Sequence, residues 1–146
     1  MDTAYGERNA ASLQRLRELV ARLEEQTLGR QIDGDWTIGA ILAHMAFWDE
    51  SCVVRWDEFD QKGTFAGLSG DVVHLINTAS LPVWRALPGE IVAKLVVQAA
   101  EAADARTEHL SEAALTYVTD ANRTFILERA SHRNEHLDEI ERFLAN

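Results

Sequence analysis

The sequence predicts an all-α fold: an up-and-down four-helix bundle with one longer crossover and one short extra helix. Two observations predict it. Each long segment repeats its apolar residues at intervals of three and four, and no apolar/polar alternation lasts more than a few residues. A chain of 146 residues with 47% hydrophobic and 26% charged content can bury one core, so residues 1–146 are expected to form a single domain.

The first helix is expected over 8–28, with Leu13, Leu16, Leu19, Val20 and Leu23 on its dry face. Gly29 then reads as a left-handed stop. Asp33-Gly34-Asp35 reads as a turn, and Thr37 as the cap of a second helix over 38–60. That helix carries Ile38, Ile41, Leu42, Met45, Trp48, Cys52, Val53, Trp56 and Phe59 at helical spacing. Gly63, Gly67 and Gly70 mark a loop. A third piece, 72–87, has Asp71 as its cap and Pro82 as a point of bending or interruption. Pro88-Gly89 separates it from a helix over 90–110. Residues 111–122 have no clear assignment beyond a turn-like Thr119-Asp120-Ala121-Asn122. The last helix is expected over 123–144.

Charge excludes one broad class of partner. Asp and Glu total 24 against 14 Lys and Arg, for a net charge of -10, and no basic run interrupts this, so nucleic acid is not an expected partner. No apolar stretch approaches the roughly 20 residues needed to span a bilayer. Met1-Asp2-Thr3-Ala4-Tyr5 lacks a basic-then-apolar signal pattern, and Cys52 is the single cysteine, so a cytoplasmic setting is expected.

The chemistry-bearing residues are histidines. In His132-Arg133-Asn134-Glu135-His136 a spacing of four turns the helix by about 400°, which puts both rings on one face roughly 6 Å apart. Phe125, Ile140 and Phe143 share that face, so both imidazoles project from the core stripe. His44 flanks the stripe of the second helix. If the two helices are neighbours, three neutral imidazoles can converge on a divalent metal and leave positions open. The bland alternative is a set of buried histidines with hydrogen-bond partners. The spelling His-x-x-Glu-His also matches inverted zincin proteases, but nothing else in the chain does.

Other candidates have a structural reading beside the functional one. Cys52 reads as packing rather than as a nucleophile. Asp49 is either a carboxylate behind a ligand imidazole or an ordinary helix-face acid. Arg129 either meets an anionic substrate or pairs with an acid across the bundle. Trp36, Trp48, Trp56 and Trp84 read as core and pocket walls, and His74 and His109 as outer groups.

The stretch Asp35-Trp36-Thr37-Ile38-Gly39-Ala40-Ile41-Leu42-Ala43-His44-Met45-Ala46-Phe47-Trp48-Asp49 resembles the second-helix signature of the DinB-like superfamily. His132-Arg133-Asn134-Glu135-His136-Leu137-Asp138-Glu139-Ile140 resembles its closing helix. The motif order, the distance between them and the helical layout agree over almost the whole chain. The resemblance implies a four-helix bundle holding a divalent metal, Zn, Ni or Fe, through His44, His132 and His136. It further implies a metal-dependent hydrolase, or a transferase using a low-molecular-weight thiol cosubstrate, acting on a small molecule, and it makes a homodimer an expected state. The alternative is a non-catalytic bundle that binds or sequesters a small molecule. No residue selects a substrate, and no catalytic residue is assigned.

Overall fold

The computed structural model describes residues 3–146; Met1 and Asp2, at the start of the segment read for a signal pattern, lie outside the described residues. Helix α1, Tyr5–Ala21, buries Leu13, Leu16 and Leu19 as its spacing requires. It ends earlier than expected. Arg22 and Leu23 turn back onto Leu19 and Val20, and a separate one-turn helix α2, Glu25–Leu28, follows. The break serves two contacts that a straight helix would miss. The Glu25 carboxylate accepts the Gly89 N–H at 3.0 Å, supplying a cap that Pro88 cannot. The Leu28 carbonyl approaches Gly39 so closely that a Cβ there would lie 3.3 Å away. Gly29 has φ −79°, so it is not the left-handed stop that the sequence suggested.

The Asp33-Gly34-Asp35 turn is present, with Gly34 at φ +51°, and it joins two short antiparallel strands, β1 Gln31–Asp33 and β2 Trp36–Thr37. Strands this short leave no alternation to detect. Thr37 caps α3, Ile38–Lys62, by accepting the Ala40 N–H at 3.0 Å. Gly63, at φ +71°, closes α3 in the left-handed conformation.

Helix α4, Gly70–Ala86, is capped by Ser69 rather than Asp71, because the Ser69 hydroxyl accepts the Val72 N–H. It continues through Pro82 without interruption. Thr78, whose carbonyl loses its helical donor there, is exposed to water. Trp84 is its one buried residue. Helix α5, Gly89–Glu108, buries Val92, Val96, Ala99, Ala100 and Ala103. The unassigned stretch is mostly helix α6, Glu112–Asp120, capped by Ser111.

The last helix also begins later than expected. Thr124–Ile126 is a single 3-10 turn, and α7 runs over Ala130–Ala145. The reason lies far away in sequence. Asn9 of α1 donates to the Leu127 carbonyl at 2.8 Å, and its Oδ1 accepts from the backbone N–H groups of Arg129 and Ala130. A side chain from another helix thus caps α7.

Side-chain pairs give the helix directions. Arg8 meets Glu128, Arg15 meets Asp138 and Arg22 meets Glu141, so α1 and α7 run the same way. Arg17 meets Glu101 while Tyr5 meets Thr107, so α5 opposes α1. Arg106 meets Asp57 and Asp60 at matching ends, so α3 and α5 are parallel. The bundle of α1, α3, α5 and α7 is therefore up-down-down-up. Two parallel neighbours need a long return, and the expected crossover, containing α4, provides it.

The core divides in two. A larger cluster includes Leu16, Leu19, Ile38, Leu42, Met45, Val92, Val96, Leu137 and Ile140. A smaller one gathers Cys52, Trp56, Phe65, Val118, Ile126 and Leu127. Beside the boundary lies a buried charged layer. Asp49, 1% exposed, accepts from Arg129 Nε at 2.8 Å and Arg133 Nε at 2.9 Å. Arg133, fully buried, also pairs with Asp104 and donates to the Ala100 carbonyl. Burial opposes the charge of Arg133, but Asp49 and Asp104 outweigh it and its pKa rises. Burial pushes the Asp104 carboxyl up, with Arg133 acting against the shift. No helix among the described residues is long and apolar enough to cross a membrane.

Candidate metal centre

His44 comes from the second turn of α3, and His132 and His136 from the first two turns of α7. Because α3 and α7 are antiparallel neighbours, the three rings converge. One ligand-capable nitrogen from each lies within 4.8 Å of the others. The Nε2 atoms of His44 and His132 are 3.2 Å apart. Two nitrogens bound tetrahedrally at about 2.05 Å to one cation would be roughly 3.4 Å apart. The donor set is compatible with a divalent metal ion.

Burial keeps two of the rings neutral. His44 is lowered to about 4 by burial first and by His136 second, with Asn77 nearby opposing the shift. His132 is lowered to about 2, again by burial first, followed by the positive charge of Arg129. Neutral imidazole is the form that binds metal.

The outer nitrogens differ. His136 Nδ1 lies 3.2 Å from Glu139 Oε2, so the carboxylate accepts its proton and leaves the Nε2 lone pair free. The Nδ1 of His44 is buried without a hydrogen-bond partner. His132 Nδ1 lies 3.1 Å from Arg129 Nη2. Since arginine only donates, this nitrogen accepts, and the His132 proton sits on Nε2, directed at His44. Two of the three rings thus present Nε2 lone pairs, and the third presents a proton.

A cavity of about 370 Å³ opens over the rings, lined by Trp48, Cys52, Arg55, Asn77, Arg129 and Glu135 among others. Trp36 and Trp84 contact the His44 ring edge-on at 5.5 Å. Trp48 donates its indole N–H to Asn77 Oδ1 at 2.8 Å, which ties α4 to α3 beside the site.

The sequence-level candidates separate clearly. His44, His132 and His136 come together, while His74 and His109 are exposed. Trp36, Trp48 and Trp84 wall the site, and Trp56 packs in the smaller cluster. Cys52 is buried, donates to the Trp48 carbonyl and has its thiol pKa raised by burial, so it is packing. Asp49 touches no imidazole; it holds Arg129, which in turn reaches His132. Arg129 therefore pairs with an acid across the bundle, and its Nη1 is spent on the Phe125 carbonyl.

Sequence reasoning missed Arg133, Asn9, Glu139 and Arg55. Arg133 and Glu139 stood inside the quoted motif, and only their helical phase distinguishes them. Arg133 falls about 100° from His132, toward α1 and α5, and Glu139 is one turn beyond His136.

No curated protein and no solved structure matches the chain. The family description that matches is "DinB superfamily", over residues 9–140, which includes the caps, all three histidines and the buried charged layer. The chain belongs to the DinB superfamily.

Proposed function

We propose that His44, His132 and His136 hold a divalent metal and that the protein is a metal-dependent enzyme acting on a small molecule, as a hydrolase or a low-molecular-weight-thiol-dependent transferase. The observation that carries this reading is the convergence of three ring nitrogens within 4.8 Å on the floor of a 370 Å³ cavity. When bound, such a metal lowers the pKa of a coordinated water or thiol toward neutrality.

The chain's own groups suit that chemistry. Trp36, Trp48 and Trp84 pack edge-on around the His44 ring and hold it in place, and Glu139 fixes the tautomer of His136. Glu135, an exposed carboxylate on the cavity wall, is positioned to take a proton at the open side. The family match supports the general class and leaves the reaction open.

A second reading, a non-catalytic binding bundle, draws on the Arg129–His132 bond, which holds one imidazole in the tautomer that does not ligate through Nε2. Elemental analysis of protein purified without a metal-affinity tag decides between them, followed by a screen for hydrolysis and thiol transfer. Stoichiometric metal in the wild type that disappears in His132→Ala, with turnover lost alongside, supports the enzyme. Turnover that survives metal loss refutes it.

A further inference from the structure

The cavity contains one guanidinium that no acid bonds among the described residues. Arg55 is 9% exposed, yet among the described residues no hydrogen bond or ion pair reaches its side chain. Its one described aromatic contact is with Phe125, whose ring centroid is 5.6 Å from Cζ. A ring face holds a cation in place without cancelling its charge. Glu58, one turn along α3, is bonded to Lys62. Burial lowers the pKa of Arg55; Arg129 and Arg123 add to that, while Cys52 and Glu58 act against it. Arg123 is itself spent on the Phe65 carbonyl and the Tyr117 hydroxyl, and Arg129 on Asp49, Phe125 and His132. None of its nitrogens is among the fully buried atoms left without a partner, so the guanidinium opens onto the cavity, where an anion can meet it.

Its position relative to the histidines is set by α3. Arg55 follows His44 by eleven residues, a rotation of about 1,100° and a rise of about 16 Å, so both lie on one helix face with Trp48, Ser51 and Cys52 between them. All five line the same cavity. The His44 and Arg55 side chains both lean toward the N-terminus, and the longer Arg55 reaches further along that direction, leaving a gap on the order of 10 Å. A neighbouring groove shares Arg55, but it brings Glu50 and Glu58 with it, which disfavour an anion. The cavity side brings Arg129 and a single acid, Glu135.

We propose that Arg55 is an anion subsite, and that the cavity takes an elongated small molecule with a carboxylate or similar anionic group on Arg55 and a metal-binding donor at the histidines. This deepens the functional proposal and rests on its reading of the cavity as the site of small-molecule binding. A guanidinium forms a forked pair with such an anion, and Phe125 and Trp48 would flank the chain between the two ends.

The test is calorimetric titration with four probes: mercaptohexanoate, mercaptohexanol, hexanoate and hexanol. Both zinc-treated and metal-free protein are used, with Arg55→Gln, Arg55→Lys and His132→Ala alongside. Wild type should prefer each carboxylate over its alcohol by about tenfold or more, with or without zinc. Arg55→Gln should abolish that preference, Arg55→Lys should keep part of it, and His132→Ala should leave it intact. Equal affinity for acid and alcohol in wild type, binding of neither at millimolar concentration, or a preference that survives Arg55→Gln overturns the subsite. The metal reading fails on a different comparison. If zinc gives mercaptohexanoate no advantage over hexanoate, the histidines are not ligands, while the Arg55 result stands.

Discussion

Arg129 Nη2 lies 3.1 Å from His132 Nδ1, and because a guanidinium cannot accept, the imidazole is held with its proton on the nitrogen that faces His44. Ligation through that nitrogen requires the proton to move to Nδ1 and Arg129 to withdraw. Arg129→Gln offers an amide oxygen that accepts from Nδ1–H instead. The variant should bind zinc at least about tenfold tighter than wild type, the equivalent of one charge-assisted hydrogen bond no longer broken on loading. Competition with a fluorescent chelator measures this, and unchanged or weaker affinity contradicts it.

Removal of either α7 ligand should separate metal from fold. His132→Ala or His136→Ala should lose tight metal binding while far-ultraviolet circular dichroism stays near wild type, because the core is built from Leu16, Leu42, Val96, Leu137 and their neighbours. Full metal content in these variants would show that the three-histidine assignment is wrong.

Acid should weaken the metal-free protein in a defined window. His44 has a folded pKa of about 4, below its unfolded value of about 6.5, so the fold prefers the neutral ring. Its contribution is present above pH 6.5 and is lost as pH falls from there toward 4. His132, at about 2, acts in the same direction. Melting temperature should fall across this range, and His44→Gln should flatten the dependence. Protons should compete with metal at these two rings at lower pH than an unperturbed imidazole would suggest.

The buried charged layer should be costly to break on one side. Arg133→Ala leaves Asp49 and Asp104 without their shared cation, which is expected to cost about 3–5 kcal/mol in urea unfolding. A loss below about 1 kcal/mol would mean that water replaces the guanidinium.

Glu135 and Cys52, both on the cavity lining, should respond differently to substitution. Glu135→Gln should reduce any hydrolysis by about a hundredfold or more if this carboxylate takes the proton. Thiol transfer, where the cosubstrate arrives as a thiolate, should change much less. Cys52→Ser should spare both, since the thiol is buried against the Trp48 carbonyl.

What could be read from sequence followed contact range. The Thr37 cap, the Asp33-Gly34-Asp35 turn and the spacing of His132 and His136 are encoded within a few residues, and each was legible. The convergence with His44 needed only one further assumption, that α3 and α7 are neighbours. The late start of α7 was hidden because its cap, Asn9, belongs to a helix more than a hundred residues earlier and looks like an ordinary polar position. The break after α1 was hidden because Glu25 reaches Gly89. The parallel course of α3 and α5 depends on where the crossover lands, which periodicity does not record. Arg55 was overlooked for the opposite reason: it is distinguished by lacking a hydrogen-bonded acid among the described residues, and a sequence does not display missing bonds.

Helix α4 gives the site Asn77 and Trp84 and is otherwise mostly exposed, with Trp84 its one buried residue and Leu81 packed beside it on the larger core cluster. The wall that meets an incoming molecule is thus joined to the scaffold that holds the imidazoles at few points, chiefly Asn77, Leu81 and Trp84. Substitutions along α4 can reshape what the cavity accepts while the histidines and charged layer stay fixed. Away from Trp84 and Leu81, selectivity and stability can therefore drift independently, and a chain built this way can change its substrate without first surviving a weakened core.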